Sequence, residues 1–426
     1  MRQFLLLLAC CACAPPPGPS AVEPFELAVG QTRSLALALD ADGEAFLALT
    51  GKLAGASWRA PGNESVTLRI VVDDAVLRHL VWATGSEEQT WKVAVGRLSA
   101  GTHTARVEVS SALTRAAQAT LSLSAASLAL FEDQELARYA PIVRGRDESA
   151  FNDSPLLLYG TRQKDGTLVY TVLYTNEDGG TGAEARQLVA RWGRLTDIEW
   201  VTSAKPGAGG EALIQFQALG HMTLPFDGPR EQDHPVVRVA TANGTFADDT
   251  VSALFRFAPA VVAFDDQAQP RERMMDENPW MHRVAQEEGE REGKVDPACS
   301  DPAKVWANRC TLYVDVEVTT QNLPSERRVW GLEAQTAAGA VRSELDLGGG
   351  GRLDRDGQVR VAIPVGEGAV SAVRLYAVGD AASAFSVVAK NPRAWRVTDD
   401  GVVAVMANPA AEAQVSDTVP SAPLLP

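Results

Sequence analysis

Val66-Thr67-Leu68-Arg69-Ile70-Val71-Val72 and Thr104-Ala105-Arg106-Val107-Glu108-Val109 decide the fold class. In the first run Val66, Leu68, Ile70 and Val72 share one side of an extended chain. In the second Ala105, Val107 and Val109 do, with Thr104, Arg106 and Glu108 opposite. Side chains alternate across a strand, so a period of two means strands half-buried against a core. Asp42-Gly43, Pro61-Gly62-Asn63 and Ala100-Gly101 supply turns between such runs. About seven strands in roughly a hundred residues predict a sandwich or jelly roll over 21–130.

The same pattern continues outward. In a middle part, 131–268, strands are expected at Leu168 to Tyr174, Thr196 to Val201, Ala212 to Gln217 and His234 to Ala240, with a short helix from Glu184 to Trp192. A linker, 269–309, holds a short surface helix near 279–292. Asn278 is its cap and Pro279 its first position, Trp280, Met281, Val284 and Ala285 form its apolar side, and Glu287, Glu288, Glu290 and Glu292 face water. Alternation returns at Leu312, Val314, Val316 and Val318 and at Val359, Val361 and Ile363, predicting another sandwich over 310–405. The Ala- and Pro-rich tail, 406–426, is expected to be loose. The fold class is therefore mainly β: multi-domain antiparallel β-sandwiches with one short surface helix.

The chain has 426 residues, 46% of them hydrophobic and 22% charged, with a net charge of −15. Such a composition is globular, and the acidic balance opposes nucleic-acid binding because no basic stripe is present to neutralise phosphates. After the first few residues no apolar run approaches the ~20 residues that span a bilayer.

Met1-Arg2-Gln3, an apolar Phe4 to Ala9 and Cys10-Cys11-Ala12-Cys13, followed by Ala14-Pro15-Pro16-Pro17-Gly18-Pro19-Ser20, read as an export signal and a semi-extended tether, 1–20. Leu7-Leu8-Ala9-Cys10 resembles a bacterial lipoprotein box, which implies cleavage before Cys10 and a diacylglycerol on its thiol; Cys13 is the alternative. No Asp follows either cysteine, and by resemblance to known sorting rules that implies the outer membrane or cell surface, with a periplasm-facing orientation as the alternative. The remaining cysteines, Cys299 and Cys310, are expected to form a disulfide in an exported chain, a metal pair being the alternative.

Thr90-Trp91-Lys92-Val93-Ala94-Val95 and Leu98-Ser99-Ala100-Gly101-Thr102-His103-Thr104 resemble the closing strands of jelly-roll carbohydrate-binding modules. The resemblance implies a glycan ligand. Trp58, in a polar loop with Pro61 and Gly62, is the candidate for stacking on a sugar, and Trp82 is the second. Trp91 shares a face with Val93 and Val95 and belongs to the core.

Asp197 and Glu199 lie two apart in a strand, so both carboxylates point to one face while Ile198 and Trp200 point to the other. Two close like charges raise each other's pKa unless a cation joins them. A divalent cation, with Asp178 as a third oxygen donor, or an Arg clamp would serve. Tyr139-Ala140-Pro141-Ile142, Thr196-Asp197-Ile198-Glu199 and His234-Pro235-Val236-Val237-Arg238-Val239-Ala240 resemble landmarks of the vacuolar-protein-sorting-associated protein 62 family, and those of the necrosis-inducing secreted proteins more weakly. The latter hold a metal with Gly-His-Arg-His-Asp-Trp-Glu. Here Gly193-Arg194-Leu195-Thr196-Asp197-Ile198-Glu199 keeps the carboxylates but has Arg194 and Thr196 where the histidines stand, which implies that Arg194 neutralises the pair. Gly180-Thr181-Gly182 fits a dinucleotide fingerprint badly. Asp40-Ala41-Asp42-Gly43 and Asp354-Arg355-Asp356-Gly357 lack the closing Glu of a calcium loop and read as hairpin turns. No cofactor is expected.

The role these features indicate is a lipid-anchored binding protein of the cell envelope, with a glycan as ligand. The alternative is a secreted hydrolase or metal-dependent enzyme centred on Asp178, Asp197 and Glu199. The sequence carries no signal of oligomeric state. If Leu7 to Cys10 is the processing box, Cys10→Ser releases the chain from membranes and abolishes lipid labelling. Retained labelling in that variant, with loss in Cys13→Ser, would move the anchor to Cys13.

Overall fold

The computed structural model describes residues 22–426 except 147, 178–184, 243, 323–329, 345–346, 348–351, 379–384, 399–400 and 417. Cys10, Cys13 and Asp178 lie outside the described residues. The protein is mainly β, with several antiparallel sheets and four α-helices among the described residues. We label the helices α1 (Gln134–Arg138), α2 (Ala185–Trp192), α3 (Arg273–Glu277) and α4 (Trp280–Arg291).

The N-terminal sandwich pairs Phe25–Ala28, Thr120–Leu130, Gly43–Ala54 and Gln89–Leu98 in one sheet. Thr32–Leu39, Gly101–Val109, Val66–Val72 and Val76–Trp82 form the other. The alternation sets which face is buried: Leu35 opposes Ala105 and Ile70 opposes Val107, and all four are 4% exposed or less. The middle part has a six-stranded sheet in the order Met222–Pro225, Ala212–Ala218, Ile198–Pro206, Leu168–Tyr174, Pro155–Arg162 and Val261–Ala263, the last pair parallel.

These two parts, expected as separate domains, share one core that runs without a break from Leu27 to Val284. Phe257 bridges to His79 in the first part and to Val143 in the second, so backbone pairing crosses the expected boundary. The C-terminal sandwich has its own core. One sheet contains Gly357–Pro364, Thr311–Gln321, Ser386–Thr398, Gly401–Ala407 and Glu412–Ser416. The other contains Gly339–Arg342, Trp330–Thr336, Val370–Ala377 and Ser421–Leu425. The tail is therefore not loose. Glu412–Ser416 pairs with Ser386–Thr398, and Ser421–Leu425 pairs with Val370–Ala377, burying Leu424 and Leu425. Ala413 and Val415 alternate with exposed Glu412 and Gln414, but the Ala and Pro residues around them hid so short a period.

Cys299 and Cys310 are joined by a disulfide, as expected. α4 covers the expected span, but it is not a surface helix with a wholly wet acidic side. Glu288 is 0% exposed and accepts from Arg291 (3.0 Å), whose guanidinium also lies 3.3 Å from buried Glu64. Nor does Asn278 cap α4 through its side chain, which instead donates to the carbonyl of Met274 in α3. Trp280, Met281 and Val284 dock on the N-terminal core, with the Trp280 ring 4.7 Å from that of Trp91.

One buried ion cluster ties the C-terminal sandwich to these helices. Arg360 and Asp315 face each other across neighbouring strands. The Arg360 guanidinium, 1% exposed, donates to Asp315 (2.7 and 2.9 Å) and to Asp276 of α3 (2.9 and 2.6 Å). Asp276 also accepts from His282 (2.9 Å) and Arg273 (2.7 Å). Gly193, just past α2, makes the same junction close: its φ is +68°, and a Cβ there would sit 2.9 Å from the Arg360 carbonyl oxygen.

Burial alone would push the Asp276 carboxyl up. The Arg360 charge and hydrogen bonds, with those of His282, outweigh it and hold that carboxyl far below the ordinary range. Its ionised form therefore contributes stability at neutral pH that is lost as pH falls below ~4. Arg360→Met leaves two buried carboxylates without their cation and is expected to cost about 3–5 kcal/mol in urea unfolding at pH 7, with a smaller loss near pH 3. An unchanged midpoint at pH 7 would contradict the role assigned to this cluster.

Candidate functional site

The chain leaves α2 at Gly193, turns, and enters the strand Ile198–Pro206, which is antiparallel to Leu168–Tyr174 with Val172 opposite Glu199. Ile198 is 1% exposed in the core, and the Asp197 and Glu199 carboxyls meet on the other face. That face is not open to solvent at Asp197, which is 4% exposed. Gly244, at φ +63°, lies directly over the pair: a Cβ there would be 2.5 Å from Asp197 Oδ2 and 3.0 Å from Glu199 Cγ. Only glycine permits both the backbone angle and the approach. Gln217, from the next strand, donates through Nε2 to Glu199 Oε2 (2.7 Å) and to His221 Nδ1 (2.5 Å).

Burial pushes the Asp197 carboxyl well above the usual range, and the neighbouring Glu199 and Glu177 charges push it further, against the pull of Arg194. Glu199 is also raised, first by burial, with His221, Arg271 and Arg194 opposing. The pair thus titrates as one unit holding a proton, not as two independent acids.

Arg194 does not clamp this pair. Its guanidinium lies 3.2 Å from Glu272, both side chains being almost wholly buried, and 5.6 Å from the centre of the Trp192 ring. Glu272 precedes α3, and a carboxylate buried there requires a nearby cation; Arg194 serves it and reaches Asp197 only through its longer-range field. Among the described residues there is no group of three His, Cys, Asp or Glu side chains arranged to hold a metal ion. None of the cavities described below is lined by Asp197 or Glu199.

Trp58 and Trp82 are not exposed platforms. Trp58 is 1% exposed, and its indole N–H donates to the Ala83 carbonyl at 2.9 Å. Trp82 is 0% exposed beside Trp91, whose ring stacks obliquely on Trp280 of α4. Trp58 lies in a loop, as expected, whereas Trp82 ends the strand Val76–Trp82. What the sequence did not disclose is that α4, some two hundred residues later, lies across them.

That covering leaves a polar cavity of about 200 Å³ between the Ala56–Trp58 loop, Glu64, the Ala83–Ser86 loop and the Arg283–Glu287 side of α4. Glu64 and Thr84 are 4% and 1% exposed, yet Glu64 Oε2 and Thr84 Oγ1 have no hydrogen-bond partner. Glu64 Oε1, by contrast, accepts from the Gly62 N–H at 2.9 Å. Arg283 also borders a second, wider cleft of about 490 Å³, to which Arg59, Gln89, Gln286, Asn308 and Arg309 bring amides and guanidiniums. Ion pairs join residues of the two linings, Arg283 with Glu87 at 2.6 Å and Arg59 with Glu287 at 2.9 Å. A third cavity, about 30 Å³, is enclosed between α2, α4 and Arg360, and a fourth, about 400 Å³ and mainly apolar, lies against α2.

No known protein-family model matches the chain, and no curated protein matches it. Solved structures similar to it include carbohydrate-binding modules, and also glycoside hydrolases and a carbohydrate esterase. The CBM35 from Cellvibrio japonicus Abf62 is 15% identical over 24% of this chain and 67% of its own, with a TM-score of 0.18. The CBM36-1 domain of a multidomain xylanase from the hindgut metagenome of Trinervitermes trinervoides is 12% identical over 27% of this chain and 86% of its own, TM-score 0.20. A family 35 carbohydrate-binding module from an environmental isolate is 19% identical over 29% of this chain and 79% of its own, TM-score 0.18. Likenesses this small carry no argument about the ligand of this chain.

The buried pair makes a prediction with a definite sign. The folded state keeps a proton on Asp197 that the unfolded chain releases near its ordinary pKa of ~3.9, so stability falls as pH rises from there towards the raised folded value. Asp197→Asn removes that slope. Its melting midpoint is expected to equal that of the wild type near pH 4 and to match or exceed it at pH 7. A lower midpoint at pH 7, with a wild-type midpoint that rises on adding Ca²⁺, Mg²⁺ or Mn²⁺, would instead show an ionised Asp197 serving a cation.

Proposed function

We propose that this protein is a glycan-binding protein of the cell envelope, anchored through Cys10, or Cys13, and taking a sugar ring in the cavity under the Trp58 loop. The observation that carries this reading is the pair of oxygens, Glu64 Oε2 and Thr84 Oγ1, buried without partners against a polar space of about 200 Å³. A buried polar atom without a partner costs about 1–3 kcal/mol. Sugar hydroxyls answer this chemistry because each is both donor and acceptor. A carboxylate oxygen and a threonine hydroxyl accept from them, and Arg283, on the same cavity, donates. The wider cleft beyond Arg283, with Gln89, Gln286 and Asn308, suits the following units of a chain.

This placement moves the ligand away from the tryptophan rings. Trp58 shapes the cavity from inside the core while Glu64 and Thr84 do the recognising. It also needs no enzymatic step, since a binding site requires only matched polar groups in a formed concavity.

A glycan array probed with the soluble chain beginning at Ala21 tests the reading. The wild type is expected to retain at least one glycan, and Thr84→Val to bind it at least ten-fold more weakly. Because the hydroxyl has no partner to lose, the same variant is expected to melt at the wild-type temperature or above. No retained glycan, or an unchanged affinity in Thr84→Val, would count against the proposal.

A further inference from the structure

We infer that the apolar cavity between α2, the disulfide loop and the C-terminal sandwich is a binding site for an anionic amphiphile, an aliphatic chain ending in a carboxylate. The cavity is about 400 Å³, within the range of small-molecule sites. Its walls come from three places. Val189 and Ala190 belong to α2, Val305 and Trp306 to the loop closed by the disulfide, and Val341 and Ala362 to the C-terminal sandwich. Val189, Val305, Trp306 and Val341 are only partly buried, so apolar surface faces the open space.

The charge around this space points to the sign of the ligand. The chain has 54 acidic and 39 basic residues, yet no Asp or Glu is among the described residues lining the cavity, while Arg186 and Lys304 are. Lys304 makes no ion pair among the described residues. A cation left unpaired beside apolar walls in an acidic protein attracts an anion and repels a cationic amphiphile. A small inorganic anion would satisfy the lysine but leave the walls uncovered, whereas an aliphatic chain covers them.

The site is held open by covalent and local structure. Pro302, Lys304, Val305 and Trp306 all lie within the ring closed by Cys299–Cys310. Val305 pairs with Val295, and the Trp306 indole donates to the Asp301 carbonyl at 3.0 Å. The wall that carries Lys304 is thereby formed before any ligand arrives, which lowers the ordering cost of binding. This inference does not rest on the glycan reading, which uses a different cavity.

The experiment is calorimetric titration of the full folded chain with dodecanoate below its micelle concentration, beside acetate and dodecyltrimethylammonium. Dodecanoate is expected to bind saturably at one site, acetate not at all and the cationic amphiphile at least ten-fold more weakly. Lys304→Glu, a substitution on an exposed loop, is expected to weaken dodecanoate at least ten-fold, and Val341→Trp to abolish binding by filling the space. Unfolding curves of both variants, matched to the wild type, show that each is folded. The inference is overturned if dodecanoate does not bind saturably, if both amphiphiles bind alike, or if a folded Lys304→Glu or Val341→Trp chain keeps the wild-type affinity.

Discussion

A guanidinium buried between two carboxylates holds this protein in register. Arg360 carries Asp315 on its own sheet and reaches across to Asp276 on α3. Of the two carboxylates, Asp276 has further donors in His282 and Arg273 and is the one held low. Asp315, with Arg360 as its principal donor, is pushed up by burial. Hydrophobic contact tolerates sliding; a set of paired charges with almost no exposure does not, because any misalignment leaves a buried charge unmatched. The C-terminal sandwich has a core of its own, and this cluster fixes how that core meets the rest.

The position of α4 follows from that junction. α3 and α4 are joined through Asn278 and Pro279, so anchoring Asp276 also positions Trp280 against Trp91 and Met281 in the N-terminal core. Once α4 lies there, the loops bearing Trp58 and Thr84 are roofed over. Their aromatic rings become core, and the polar groups left between roof and loops line the cavities. The geometry offers two chemically different spaces as a result. One is polar, with the buried oxygens of Glu64 and Thr84. The other is apolar, with Lys304 beside it. The carboxylate pair of Asp197 and Glu199 belongs to neither: Gly244 closes over it, and its raised pKa values follow mainly from that burial.

Much of the local structure was legible in the residues. The alternation at Val66 to Val72 and at Leu312 to Val318 located strands and their buried faces, because period two is a property of the backbone and needs no partner to be read. Helix α2 and the approximate span of α4 followed from apolar spacing, and the disulfide followed from two cysteines in a chain read as exported. The shared face of Asp197 and Glu199 was legible for the same reason as the strands.

What the sequence by itself determined was therefore which segments extend, which coil, and which side of each is apolar, all consequences of neighbours a few residues apart. What only the tertiary structure decided was what covers each side. Arg194 was free by sequence to serve Asp197, but the fold brings buried Glu272 to it instead. Trp58 sat in a polar loop and was expected to face water, until α4 arrived from more than two hundred residues away. Glu288 looked like one more solvated acid, and the tail after Ala407 looked loose, though both are held by partners that no local pattern announces. Polar pairing and burial depend on groups distant in the chain, such as Asp276 and Arg360, 84 positions apart, and a period of two or 3.6 carries no information across that distance.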